Sequence, residues 1–160
     1  LGNWMHEKAP TGKDEWLTPP EMVRALGKFD LDPCAPVNRP WSTARRHFTV
    51  VKNGLCKSWR GRVWCNPPYN EAARWLKLCR KHGNAVALVF ARTETRMFFE
   101  NIWGGADAVL FIRRRVRFFN ADGTPGRNSA GAPSVLVAFG NRNAVALQQS
   151  GIAGHFIKLK

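Results

Sequence analysis

Apolar residues follow two spacings along this chain, and the alternation between them predicts its elements. The unbroken run Ala85–Phe90 has the pattern of a strand buried on both faces of a sheet. Just before it, Ala72, Trp75, Leu76 and Cys79 recur three and four residues apart, which predicts a helix over 71–81 with those side chains inward. Met22, Val23 and Leu26 give another helical face that stops at Gly27, with Thr18 placed as N-cap and Pro19 in the first turn. Residues 95–103 read as a third helix. Strands are expected at 29–31, 63–65, 109–112, 116–119 and 135–139, the last two as antiparallel neighbours across a glycine-rich loop. Prolines 33, 36 and 40 with Asn38 mark 33–41 as loop, and the pattern on to Lys57 defines no element.

Strands alternating with helices imply an α/β fold: a mostly parallel sheet wound by right-handed crossovers, with an antiparallel addition near the carboxyl end. Ligands of such sheets lie beyond the carboxyl ends of the strands. Asp32 and Asn66 both fall at strand ends and so share that rim. Few residues separate them, so the sheet between must be abbreviated. The polar stretch 1–13 lacks an initiator Met and is expected to be a trimmed, flexible end, leaving 14–160 as a single domain.

Charge narrows the partners. With 25 Lys and Arg against 11 Asp and Glu, the net charge is +14 and the pI about 10.7, which makes nucleic acid the expected partner. No apolar run approaches the ~18–20 residues of a membrane span, so no membrane partner is expected. Cys34, Cys56, Cys65 and Cys79 lack the spacing of a zinc site, and His6, His47, His82 and His155 fall at no ligand distance from them. Reduced thiols, a cytoplasmic setting and no metal follow. Nothing in the pattern assigns an oligomeric state.

The chemistry concentrates in Asn66-Pro67-Pro68-Tyr69, which closes the apolar segment 63–65. Asn66 offers a side-chain carbonyl, and the two prolines stiffen a backbone whose carbonyls are acceptors. Tyr69 supplies a face on which a flat heterocycle can stack. Such a turn suits a planar amine.

In order along the chain, Trp16-Leu17-Thr18-Pro19-Pro20, Leu31-Asp32-Pro33-Cys34-Ala35, Asn53-Gly54-Leu55, the Asn-Pro-Pro-Tyr motif, Phe90-Ala91-Arg92-Thr93-Glu94-Thr95, Arg115-Val116-Arg117-Phe118-Phe119 and Pro133-Ser134-Val135 resemble the phage-type, Dam-like DNA N6-adenine methyltransferases. The resemblance covers most of the chain. It implies a compact class I, Rossmann-like methyltransferase fold, S-adenosylmethionine as cofactor, double-stranded DNA as partner, and a phage or prophage enzyme acting in the host cytoplasm. It assigns Asp32 and Pro33 to the loop holding the cofactor's ammonium, and Thr18 and Pro19 to a loop on its methionine portion. Trp16 either covers the cofactor or packs in the core. Asn53 stands where the family generally has Asp, and is kept as a cofactor-binding candidate because its amide can still accept a hydrogen bond, though without the charge. Residues 33–70 contain no acidic side chain, so the usual ribose-binding acid is not visible.

The implied reaction needs few ionisable groups. If the Asn66 amide oxygen and the Pro67 carbonyl each accept one hydrogen of an adenine amine, its lone pair aims at the methyl donor. A stacked adenine must first rotate out of the duplex. Tyr69 would stack on one face and Phe118 or Phe119 on the other, only one of which can point inward from a strand. Arg113, Arg114, Arg115, Arg117 and Arg127 are expected on DNA phosphates, and Arg92 at the border of cofactor or target. The chain has no room for a large recognition domain, so a short or relaxed site is expected. A methyltransferase acting on RNA or on a protein glutamine amide, and a silent basic nucleic-acid-binding module, are the alternatives.

Overall fold

The computed structural model describes residues 16–160, and the expectation of a flexible 1–13 segment lies outside them. One seven-stranded sheet organises the chain. In chain order the elements are α1 (Pro20–Ala25), β1 (Leu31–Asp32), β2 (Arg46–His47), β3 (Val63–Cys65), α2 (Ala72–His82), β4 (Ala85–Phe90), α3 (Arg96–Phe98) running into a π-helical turn (Phe99–Trp103), β5 (Ala108–Ile112), β6 (Ser134–Phe139), α4 (Asn141–Gln149) and β7 (Gly154–Lys158). The strand order is β2-β1-β3-β4-β6-β5-β7. Pairing is parallel among β2, β1, β3 and β4, and antiparallel from β4 through β6 and β5 to β7. Parallel ladders therefore occupy one half of the sheet rather than most of it. Because β6 opposes both β4 and β5, β5 points the same way as the parallel half.

Side chains alternate across the sheet and build two cores. Ala85, Ala87 and Val89 of β4 join Val63, Cys65, Trp75, Leu76 and Phe98 on the α2 and α3 side. Val86 and Leu88 join Trp64, Val23, Leu26, Phe29, Ala144 and Leu147 on the α1 and α4 side. Helix α2 buries Ala72, Trp75, Leu76 and Cys79, as its spacing predicts, and ends where Gly83 takes φ +73 and its N–H returns to the Cys79 carbonyl at 2.9 Å.

Several expectations are corrected. Thr18 does not cap α1: Pro19 occupies the N-cap and Pro20 the first helical position. The strand expected at 116–119 does not form. Both edges of β5 are taken by β6 and β7, so Phe119 makes only isolated bridges to Leu17 and Pro125, and the antiparallel neighbours of β6 are β4 and β5. The strand expected at 29–31 is Leu31–Asp32. Helix 95–103 starts on the Thr95 side chain, which accepts from the Phe98 N–H at 3.3 Å, but widens to a π turn after Phe98. β2, α4 and β7 are additional.

Candidate active site

β1 and β3 pair in parallel, so Asp32 and Asn66 emerge at the same rim. Asn66 is held from two sides there. Its backbone N–H donates to the Cys34 sulfur, and its Nδ2 donates to Thr18 Oγ1 at 2.9 Å. Thr18, buried at 3% exposure, thus ties the segment entering α1 to the turn after β3. Among the described residues Asn66 Oδ1 and the Pro67 carbonyl carry no intramolecular hydrogen bond. The Pro68 carbonyl differs from the expectation, because it accepts from Glu71 N–H at 3.1 Å and starts the turn Tyr69–Glu71. The Tyr69 ring is 57% exposed and leans on Phe90 at 5.2 Å between centroids.

Asp32 is buried, and its own loop takes both carboxylate oxygens: the Cys34 N–H donates to Oδ1 at 3.2 Å and the Thr43 hydroxyl to Oδ2. Burial pushes its pKa up to about 6, against the opposing pull of Thr43, the Cys34 N–H and the Arg39 charge. Pro33 is buried beside it, and a Cβ on Gly54 would run into the Pro33 carbonyl oxygen. The Asn53 loop therefore packs on the Asp32 loop. Asn53 itself is exposed with φ 48, its Nδ2 donating to Cys56 Sγ at 3.3 Å.

The aromatic candidates separate. Phe118 packs on the α1 side of the core, whereas Phe119 pairs its backbone with Leu17 at 2.9 Å in both directions and meets Trp41 edge-on at 5.3 Å. Trp16 is 45% exposed, and a Cβ on Gly126 would stand 3.4 Å from its ring. It is thus no core tryptophan. Arg113, Arg114, Arg115, Arg117 and Arg127 are all exposed, with Arg115 Nη1 donating to the Ala130 carbonyl at 3.1 Å. Arg92 is half-buried, and its Nε is a buried donor without a partner.

Three residues at the rim were not singled out from the sequence. Phe90 backs Tyr69, and Ser134, opposite Phe90 in the ladder, has a buried hydroxyl without a partner. Trp41 contacts Phe119 from a loop that the hydrophobic pattern left blank. Among the described residues no group of His, Cys, Asp and Glu is placed to hold a metal ion, and no helix is long and apolar enough to cross a membrane.

The rim thus carries an amide and a carbonyl without internal donors beside an exposed tyrosine, at the carboxyl ends of parallel strands. A family model described as DNA N-6-adenine-methyltransferase (Dam) matches residues 6–149, and the chain belongs to that family. No curated protein and no solved structure matches it.

Proposed function

We propose that this protein transfers a methyl group from S-adenosylmethionine to the N6 amine of an adenine rotated out of a DNA duplex. One observation carries the reading. Two carbonyl oxygens of consecutive residues, Asn66 Oδ1 and Pro67 O, face no internal donor while the neighbouring amide nitrogen is tied to Thr18. Together they offer one acceptor to each hydrogen of an amine, and each bond strengthens as the nitrogen becomes tetrahedral. Tyr69 stacks on the base, and Phe119 is the better second wall because Phe118 is committed to the core. The strand directions, with β6 reversed between β4 and β5, support the Rossmann-like class I reading.

The rim also suits the cofactor. Asp32 is an anion that burial disfavours, so a cationic ammonium beside it restores the charged form. Arg92 Nε is an unpaired donor on the same rim and fits a carboxylate. When bound, S-adenosylmethionine supplies an electrophilic methyl and leaves as a neutral thioether, so no side chain need act as general acid. The surplus proton departs to water. Asp32 with Thr43 fixes the loop, Thr18 fixes the amide, and Asn66 with Pro67 orients the lone pair. With a DNA substrate we assign the enzyme to the host cytoplasm, and the family resemblance supports a phage or prophage origin.

Incubation with labelled S-adenosylmethionine and, in separate arms, duplex DNA, RNA and a glutamine-bearing protein tests the substrate. Label should enter adenine N6 of DNA. Asn66→Ala should lower single-turnover rate by about 10²–10³, the typical loss of one preorganised donor or acceptor. Tyr69→Ala should instead weaken base capture by about 1–3 kcal/mol, with partial rescue by a mismatch opposite the target. Label only in RNA or protein, or wild-type turnover by Asn66→Ala, would overturn the assignment.

A further inference from the structure

Helix α1 separates two concavities. Glu21, Met22 and Ala25 border one, together with Arg115 and Arg117, which were already expected on DNA. The other, about 610 Å³, lies along Arg24, Lys28 and Arg45 and is also lined by Trp41, Ser42 and Thr43. Arg24, Lys28 and Arg45 are exposed, and none of them enters either ion pair found among the described residues. Asp30, the acidic side chain bordering this concavity, already accepts from the Arg62 N–H at 2.8 Å. Trp41 connects the concavity to Phe119 at 5.3 Å, and Phe119 is bridged to Leu17, next to the Thr18 that holds Asn66. The concavity thus adjoins α1 and is linked through Trp41 to the second wall of the proposed target pocket.

We propose that the concavity of Arg24, Lys28 and Arg45 is a second DNA-backbone site, which holds phosphates on the side of α1 opposite Arg115 and Arg117. The inference rests on the DNA reading and extends it. Three cations outside any ion pair, with an aromatic ring among the lining residues, fit a phosphodiester chain, and seating phosphates on both flanks of α1 would hold the duplex while one base leaves it.

Fluorescence anisotropy on a labelled duplex, titrated over potassium chloride concentration, tests it. Arg24→Ala/Lys28→Ala should lower the magnitude of the log K against log salt slope by about 1.8, at about 0.9 per lost phosphate contact, and Arg45→Ala by about 0.9. Lys77→Ala/Lys81→Ala removes two exposed charges from α2, on the other face of the sheet, and should leave the slope unchanged. Equal slopes for wild type and Arg24→Ala/Lys28→Ala, or equal losses from both pairs, would overturn the second site while leaving DNA methylation standing. A wild-type protein that binds RNA but no duplex DNA would sink both readings.

Discussion

Thr18 decides which atom Asn66 presents. Its oxygen receives Nδ2, which leaves the single amide oxygen without an internal donor. A carboxylate has an acceptor on each side and needs no such orientation. Thr18→Val should therefore lower kcat by up to about tenfold in the Asn66 background, the worth of one hydrogen bond. In an Asn66→Asp background it should cost less, and Thr18→Ser should restore the rate; equal costs in both backgrounds would reduce Thr18 to packing. From the sequence Thr18 read as an N-cap, because Ser and Thr before a proline-initiated helix usually cap it. The partner that claims it lies 48 residues away and leaves no local signal. Asp32 was legible as a strand-end carboxylate, but its burial was not. Its pKa of about 6 lies above the ordinary 3.8. The stability it contributes is complete below pH about 4 and is lost as pH rises through about 6. A bound ammonium favours the ionised form, so cofactor affinity should rise about fivefold from pH 5 to pH 6 and level off within about another twofold above it. Calorimetry across that range checks this, and Asp32→Asn should give a flat profile.

Elements were legible in proportion to their length and to how one-sided their burial is. Helix α2 and strands β4 and β6 carry patterns long enough to read. β1 and β2 are two residues each and are strands only because neighbouring chain supplies ladder partners. α4 was missed because its start is fixed from afar. Its buried Asn143 accepts from Arg62 Nε at 2.6 Å and donates to Asn84 Oδ1 at 2.9 Å and to the Phe139 carbonyl at 2.8 Å. β7 alternates too weakly, being an edge strand with exposed ends. Between β1 and β3 the decisive contact is Gly54 on the Pro33 carbonyl, a position where any Cβ forces one loop away from the other. Gly54→Ala should weaken cofactor binding at least tenfold while the far-ultraviolet circular dichroism of the sheet and helices persists. Wild-type affinity would show that the Asn53 loop has no part in the site.

At the scale of the whole molecule, charge and fold pull in different directions. The sequence carries 25 cationic against 11 acidic side chains, yet only two ion pairs form among the described residues, Arg74 with Glu71 and Arg96 with Glu100. Both are exposed and near in sequence, a kind of pair that contributes little to stability. The two cores on either side of the sheet therefore hold the molecule together against its own net repulsion. Such an excess is legible in composition alone, but its distribution is not: the run Arg113 to Arg117 is visible as a cluster, whereas Arg24, Lys28 and Arg45 are brought together only by folding. Repulsion between exposed like charges is screened within about 10 Å at 0.1 M salt, and apolar burial is not weakened by it. The melting temperature should rise by several degrees between 0.02 and 0.3 M potassium chloride, measured by differential scanning fluorimetry at constant pH (concentrations on the scale of screening). Short duplex DNA at low salt should raise it further, since a ligand that binds only the folded state stabilises it. A melting temperature that falls with salt would mean that ion pairs, rather than the apolar cores, hold the fold.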